Sequence, residues 1–563
     1  MSAGHDRHAT TSSGEGALFG LMMDTPLLLS GLIEYAARCH RGARLVARDI
    51  EGDMVRLGFA EAESRSKRLA RALRRLGVGP ATRVGTLAWS THRHFECFYG
   101  VTGIQAVLHT VNPRLFDDQI AYIVNHAEDE YLLFDNASAA VVERLAPRLP
   151  GIKAFVAMSA RDRMEPRDIP RLLCYEEMLA AETDELDWPE FDERSASTIC
   201  YTSGSTGNPK GVVYSHRASV LQTLTSSTGS WMPGVRSGRR EVLMPIAPMF
   251  HGNAWNQPFI ACYTGSSLVL PGRAFEPDKL FELLAAENVT IAAAVPTVWI
   301  TLTEWMTRHD LRLPALHLAM MSGSKPPRSL IETLVGTFGL ETFVNYGSTE
   351  VLGGSAGTMI PIDGERSPAD AIEARLKSGR AMFTPRIRVV DDDGRVLPND
   401  GNSVGHIRFK GTWVATGYLK GEGGNPVDAD GWFQTGDIGV VDEAGCIEIR
   451  DRAKDVIKSG GEWISSQELE AAAGSHPAVS QVAVIGVPHQ RWQERPLMLV
   501  VLRHEAQLDA RELSAHLAER VAKWWLPDRI EFVDALPTTG TGKVHKPTLR
   551  ELYAHLTTEA AKA

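Results

Sequence analysis

A chain of 563 residues, 44% of them apolar, is long enough for two or more domains and a large buried core. Its net charge of −10 argues against a general electrostatic attraction for nucleic acid. The six cysteines (Cys39, Cys97, Cys174, Cys200, Cys262, Cys446) show neither C-x-x-C nor metal-ligand spacing, which fits a reducing cytoplasm, and no apolar run reaches the ~18 residues of a membrane span.

Met1 to Gly16 is rich in Ser, Thr, Gly and His and lacks the cationic flank and apolar core of a signal peptide, so residues 1–20 are expected to be disordered. From Thr25 to Ser90 the pattern is helix, strand, strand, helix, strand. Leu69, Leu73 and Leu76 share a helical face, Gly77 offers a stop, Pro80 prevents resumption, and Arg83 to Trp89 reads as a buried strand. Cys97 to Leu108 is expected to be helical and ended by Asn112-Pro113, whereas Tyr131 to Phe134 and Ala154 to Ala157 read as strands. The alternation argues for parallel sheet with covering helices, and no single internal repeat is visible. Glu182 to Glu193, acidic and Pro-containing, reads as a surface linker.

Thr198 to Tyr201 then forms a strand that runs into Thr202-Ser203-Gly204-Ser205-Thr206-Gly207-Asn208-Pro209-Lys210-Gly211. After it, Val212 to Tyr214 leads to Ser215, an N-cap for a helix through Leu224. Glycines let backbone N–H groups turn toward an anion, hydroxyls add donors, and Lys210 supplies a compact charge for a terminal phosphate. The same residue types also build ordinary surface turns. Walker A does not fit, because Lys210 is followed by Gly211 rather than Ser or Thr. The whole string resembles the phosphate loop of the acyl-adenylate-forming superfamily, which holds acyl-CoA synthetases, peptide-synthetase adenylation domains and beetle luciferases. Further motifs recur downstream in that family's order, so the chain is identified as a member of it.

The resemblance implies roles residue by residue. Thr202, Ser203, Gly204, Ser205, Thr206, Gly207 and Lys210 would hold ATP phosphates. In Pro248-Met249-Phe250-His251-Gly252-Asn253-Ala254-Trp255, His251 would close the acyl pocket near the carboxylate, with Asn253 and Trp255 also lining it. The run through Gly272, with Val295 to Trp299 after it, looks like the medium- and long-chain fatty-acyl-CoA synthetases, in which the tryptophan matching Trp255 gates a fatty-acid tunnel. Trp255 as packed core is the alternative reading. Met321 to Pro326 and Val344 to Glu350 follow apolar segments, as loops do at the carboxyl ends of parallel strands. Gly323, Ser324, Lys325, Asn345, Tyr346, Gly347 and Ser348 would bind ATP, Tyr346 stacking on adenine, while Ser324 and Gly347 would also meet the acyl group. Thr349 would bond the α-phosphate and Glu350 would hold Mg²⁺, for which one carboxylate suffices. Asp437 and Arg452 would clamp the ribose.

The fold class implied is α/β: a large N-terminal domain of stacked sheets with helices (residues 21–450), a hinge (451–455) centred on Lys454, and a small mobile C-terminal α+β domain (456–563). In the last unit, Ser466 to Ala473 and Leu508 to Trp525 read as helices, and Gln481 to Val487, Pro496 to Leu502 and Arg529 to Val533 as strands. By resemblance, Ser459, Gly460 and Gly461 would line the coenzyme A tunnel, and Lys543 in Thr538-Thr539-Gly540-Thr541-Gly542-Lys543 would be the adenylation lysine. Where much of the superfamily has an acidic residue and Gly-Glu, this chain has Trp492-Gln493-Glu494-Arg495-Pro496, the form of the fatty-acyl and 3-methylthiopropionate CoA ligases. The implied reaction joins a carboxylic acid, ATP and coenzyme A with Mg²⁺, with Lys543, Thr349 and His251 as the catalytic set. The acid would be a medium- to long-chain fatty acid; a 3-methylthiopropionate or other short or aryl acid ligase shares every motif, and a non-catalytic nucleotide-binding protein is the reading of another class. The expected setting is cytoplasmic, without nucleic acid, with peripheral membrane contact open and a homodimer carried over from relatives.

Overall fold

The computed structural model describes residues 20–202, 208–228, 240–354, 356–357, 368–460, 462–503, 505–538 and 544–556. The phosphate-loop positions Ser203 to Gly207, together with Gly461 and Lys543, lie outside the described residues.

The molecule is α/β. An N-terminal hairpin, β1 (Arg44–Arg48) and β2 (Met54–Gly58), precedes a run of strands β3 (Arg83–Leu87), β4 (Val107–Val111), β5 (Tyr131–Phe134), β6 (Ala154–Ala157) and β7 (Leu172–Cys174). Next come β8 (Ala196–Tyr201), β9 (Gly211–Ser215), β10 (Val242–Pro245), β11 (Ser267–Leu270), β12 (Ile291–Ala294), β13 (Leu318–Met321) and β14 (Glu341–Val344). They build two seven-stranded sheets, ordered β7-β6-β5-β3-β4-β8-β9 and β14-β13-β12-β10-β11-β1-β2. The orders match position for position, and each sheet is parallel except for one antiparallel pair at the same end, β8 with β9 and β1 with β2. The repeat lies in topology, which is why no sequence repeat announced it.

Side-chain alternation along the strands explains the stacking. Leu133 and Val156 of one sheet and Ile291 and Ala293 of the other enter a single shared core, filled between the sheets by helices Phe59–Arg75, His92–Gly100 and Gln257–Thr264. Leu132 and Phe155 face a second core under helix Asp117–Ala127, and Ala292 and Ala294 a third under helices Pro277–Ala286 and Pro296–Arg308. Five layers result, helices alternating with sheets.

A four-stranded antiparallel sheet follows, β15 (Arg386–Val390), β16 (Gly405–Lys410), β17 (Phe433–Val441) and β18 (Ile447–Arg452). The chain ends in a small α+β unit. Its strands β19 (Ile457–Ser459), β20 (Glu462–Ile464), β21 (Val479–His489), β22 (Gln493–Leu502) and β23 (Arg529–Phe532) are antiparallel except for β22 with β23.

Two expected helices are corrected. Cys97 to Leu108 is not one helix: the helix starts earlier, at His92, where Thr91 accepts from the His94 N–H, and it ends at Gly100. Gln105 is left-handed (φ 65°), and the β-branched run after it becomes β4. Every residue of helix His92–Gly100 and of β4 is buried, so no hydrophobic period separated them. Likewise the helix expected over Leu508 to Trp525 spans only Ala510–Ala518, opened by an Asp509–Glu512 capping box. Beyond it, Arg495 draws the carbonyls of Trp524 and Leu526 out of helical register at 2.8 and 2.9 Å.

Candidate active site

The phosphate loop is closed at its base by its own backbone. The Thr202 N–H donates to the Lys210 carbonyl (2.9 Å) and the Lys210 N–H donates to Thr202 Oγ1 (3.3 Å). Below this clasp the Tyr201 hydroxyl meets His126 Nδ1 at 2.6 Å, and Glu422 Oε1 accepts from Tyr122 (3.0 Å) and lies 3.3 Å from His126 Nε2. Lys210 leaves the clasp with its ammonium 4.9 Å over the ring of Tyr418. Tyr418 in turn donates to Glu350 Oε1 at 2.9 Å. One tyrosine thus joins the phosphate-loop cation to the carboxylate assigned to the metal. A Cβ on Gly423 would press on the Lys210 side chain, and the φ of 74° there is one that favours glycine.

The loop after β14 supplies the opposite wall. Asn345 donates to the Gly353 carbonyl (3.2 Å), and a Cβ on Gly347 would overlap that same carbonyl, which explains a glycine with ordinary φ. The Tyr214 hydroxyl donates to the Thr349 carbonyl at 2.6 Å, tying β9 to this loop. Tyr346 packs against Phe409 (5.7 Å) and donates to Asp437 Oδ2; burial, with the Asp437 charge beside it, pushes the phenol well above its usual range. Asp437 Oδ1 pairs with Arg452 Nε at 2.8 Å, and that carboxylate raises the guanidinium further. An acid of very low exposure, gripped by a tyrosine and an arginine, is fixed in orientation. Gly323 (φ 94°) and Ser324 are exposed at the end of β13, and Lys325 is paired with Glu448 at 3.3 Å.

Gly252 to Asn256 carries five successive positive φ angles, between 51° and 59°, a left-handed turn that disfavours every L-residue in it. His251 leads into the turn and is half-buried. Asn253 is fully buried, donating to Thr198 Oγ1 (3.1 Å) and accepting from Cys200 Sγ (3.5 Å), so it anchors the turn to β8. Trp255 is half-buried against the backbone of Gly353, where a Cβ would stand 3.4 Å from the Trp255 Cα. The turn therefore aims its indole at the same loop that carries Tyr346, Thr349 and Glu350.

In the C-terminal unit, Gly460 (φ 62°) donates from its N–H to the Trp492 carbonyl (2.9 Å), and a Cβ there would press on the indole at 2.9 Å. Ser459 is buried and accepts from Arg495 (3.3 Å). Arg495 also binds Asp528, which explains the Trp492-Gln493-Glu494-Arg495-Pro496 variant: it fastens β19 and the Trp524 turn to β22. At Lys454 the carbonyl accepts from Arg550 (3.2 Å), and burial lowers the ammonium pKa. Next to it Asp451 accepts from the N–H and hydroxyl of Ser466 at 2.6 and 2.7 Å. Tyr418, Tyr214, His126 and Glu422 were missed from sequence; each is a single residue outside any run of motif residues.

Among the described residues no three His, Cys, Asp or Glu side chains gather as a metal cluster. A magnesium ion bridging phosphates needs only one or two carboxylates, and Glu350, held by a neutral hydroxyl, fits that demand. No described helix is long and apolar enough to cross a membrane.

Comparison with known proteins agrees with this geometry. The family model described as AMP-binding enzyme matches residues 33–419, and that described as AMP-binding enzyme C-terminal domain matches residues 468–543. A medium-chain-fatty-acid–CoA ligase of Ectopseudomonas oleovorans is 39% identical over 96% of this chain and 98% of its own. A 3-methylmercaptopropionyl-CoA ligase of Ruegeria pomeroyi is 42% identical over 96% of this chain and 100% of its own. The crystal structure of an anthranilate CoA ligase in complex with anthranoyl-AMP superposes with a TM-score of 0.83, at 23% identity, over 95% of this chain and 99% of that one.

Proposed function

The chain belongs to the AMP-binding enzymes, and from that premise we propose that it is an AMP-forming acid–thiol ligase acting on a medium- to long-chain fatty acid. It activates the carboxylate as acyl-AMP with release of pyrophosphate and passes the acyl group to coenzyme A with release of AMP. The observation that carries the reading is the line Lys210–Tyr418–Glu350 running into the Tyr346–Asp437–Arg452 clamp, a phosphate cation, a metal carboxylate and a sugar-binding acid held on one surface.

Neither half-reaction needs a protein nucleophile. The first is attack of a carboxylate oxygen on the α-phosphorus, and its barrier falls by in-line positioning and by neutralising charge on the phosphoryl oxygens. Asp437, fixed by Tyr346 and Arg452, would take the ribose hydroxyls; Lys210 and Thr202 the outer phosphates; Thr349 and Lys543 the α-phosphate. Glu350 would hold Mg²⁺, which supplies charge neutralisation on the triphosphate. His251 and Trp255 would close the acyl side, and Ser459, Gly460 and Gly461 would line the thiol's path. Lys543 and the Gly460 turn sit on one small unit and serve different steps, so a rotation about Lys454 between the steps follows.

A coupled assay of AMP release over acids of two to sixteen carbons tests the reading. Turnover of the longer acids is expected. A second reading, a ligase for 3-methylthiopropionate, is favoured by the similarity to the Ruegeria enzyme, and turnover confined to acids of about four carbons would install it instead. A cytoplasmic homodimer accompanies the proposal, and light scattering at micromolar protein checks the dimer.

A further inference from the structure

The wall formed by the helix that is hydrogen-bonded to Asn256, the residue after Trp255, is polar. Helix His216–Ser226 turns Ser219, Gln222, Thr223 and Ser226, at helical spacing, onto one face, and all four are buried. Against it, Asn256 donates from Nδ2 to Gln222 Oε1 at 2.6 Å, and Gln257 reaches only the sulfur of Met320, at 3.8 Å. Asn256 is 0% and Gln257 2% exposed, yet Asn256 Oδ1, Gln257 Oε1 and the hydroxyls of Ser219 and Ser226 have no hydrogen-bond partner among the described residues. Four unpaired polar atoms in such a place are unusual, since buried polar groups are nearly always satisfied. They belong to the two residues that follow Trp255 and to the helix bonded to the first of them. An alkane-filled tunnel would leave every one of them unpaired.

We propose that this wall recognises an oxygenated acyl chain, a carboxylic acid carrying a hydroxyl group remote from its carboxylate. The proposal rests on the ligase reading and narrows its substrate class. A hydroxyl both donates and accepts, so it can answer Asn256 Oδ1 or Gln257 Oε1 and a serine hydroxyl of the helix at once. A methylene offers neither function, and a thioether sulfur is only a weak acceptor. Sites built to bond a substrate hydroxyl reject the analogue lacking it far more strongly than apolar pockets sort chains by length.

The test compares octanoate, its terminally hydroxylated analogue and a mid-chain hydroxylated analogue, by AMP release with ATP, Mg²⁺ and coenzyme A. For one hydroxylated acid kcat/KM should exceed that of octanoate by about tenfold or more. In Gln257→Leu, and independently in Gln222→Leu, the ratio should collapse to within about threefold, with octanoate gaining. Gln257→Leu should melt within a degree or so of the parent if its oxygen is unpaired for a ligand rather than for the fold, whereas Gln222→Leu, which takes the acceptor from Asn256 Nδ2, should melt lower. A parent ratio below tenfold, or one that both variants leave unchanged, overturns the proposal. If no acid releases AMP the ligase reading falls, and the melting shift produced by each acid alone still decides the wall: a larger upshift with a hydroxylated acid supports it, and an equal or larger upshift with octanoate overturns it.

Discussion

At the scale of single residues, chemistry depends on charges whose surroundings are already fixed. Lys543 lies outside the described residues, and its assigned task is to meet the α-phosphate. Lys543→Ala should lower the adenylation rate by ~10²–10³, the size typical of removing one preorganised electrostatic contact. Conversion of supplied acyl-AMP to acyl-CoA should change little; equal losses in both halves would contradict the two-step geometry. A buried carboxylate makes stability depend on pH. Asp135 accepts from the Trp89 N–H at 2.6 Å, and burial pushes its pKa from 3.8 up to about 8. The folded chain therefore keeps a proton that the unfolded chain releases, so this residue's contribution falls as pH rises from about 4 to about 8 and is constant beyond. The slope is at most ~1.4 kcal/mol per pH unit. Asp135→Asn, which keeps an acceptor for Trp89, should flatten the melting temperature across that window and melt above the parent at pH 8; an unchanged slope would rule this out.

At the scale of elements, the left-handed turn Gly252–Asn256 decides what Trp255 can do. A half-buried indole on a strained turn has room to swing, unlike Trp299, which is fully buried with its N–H on the Met320 carbonyl. Trp255→Ala should weaken discrimination between a short and a long acid while ATP affinity stays nearly intact. Were Trp255 packed core, truncation would cost about 3–5 kcal/mol and depress every acid alike, so specificity constants read beside the melting temperature separate the two. Legibility also varied by element. The strands β5 and β6 and the Ser215 cap, whose hydroxyl accepts from the Ala218 N–H at 3.1 Å, were readable because their signals are local. That the Tyr346-to-Glu350 loop leaves the carboxyl end of a strand, β14, was readable for the same reason. The His92–Gly100 helix and the Trp524 turn were not, because burial on all sides erased the period of one and Arg495, far along the chain, shaped the other. Tyr418 and the His126–Glu422 pair escaped because nothing in the sequence near them foretells Lys210 or Tyr201 as a neighbour.

At the scale of the whole molecule, the segment around Lys454 joins two bodies of unequal size. Arg450 pairs with Glu468 at 2.7 Å across it, and Arg503 of the small unit pairs with Glu304 of the large one. A proline at the proposed hinge fixes φ near −65° and restricts the residue before it. Lys454→Pro should cut overall acyl-CoA formation by about tenfold or more while sparing one isolated half-reaction, since a single orientation would persist. Pyrophosphate exchange and acyl-AMP consumption measure the halves, and parental rates in both would remove Lys454 from the hinge.

The matched strand orders have a consequence for how the chain is made. The β1–β2 hairpin leaves the ribosome first, yet β1 docks on β11, roughly 220 residues later. At ~5–20 residues per second the hairpin waits on the order of ten to forty seconds for its sheet. During that wait Leu45 and Ala47, which end fully buried, lie on a bare strand edge able to pair with any other nascent chain. Synthesis rate and chaperone supply, rather than the stability of the finished protein, then set its yield, and slowing translation between residues 58 and 267 should lower soluble expression without changing the melting temperature of what is recovered.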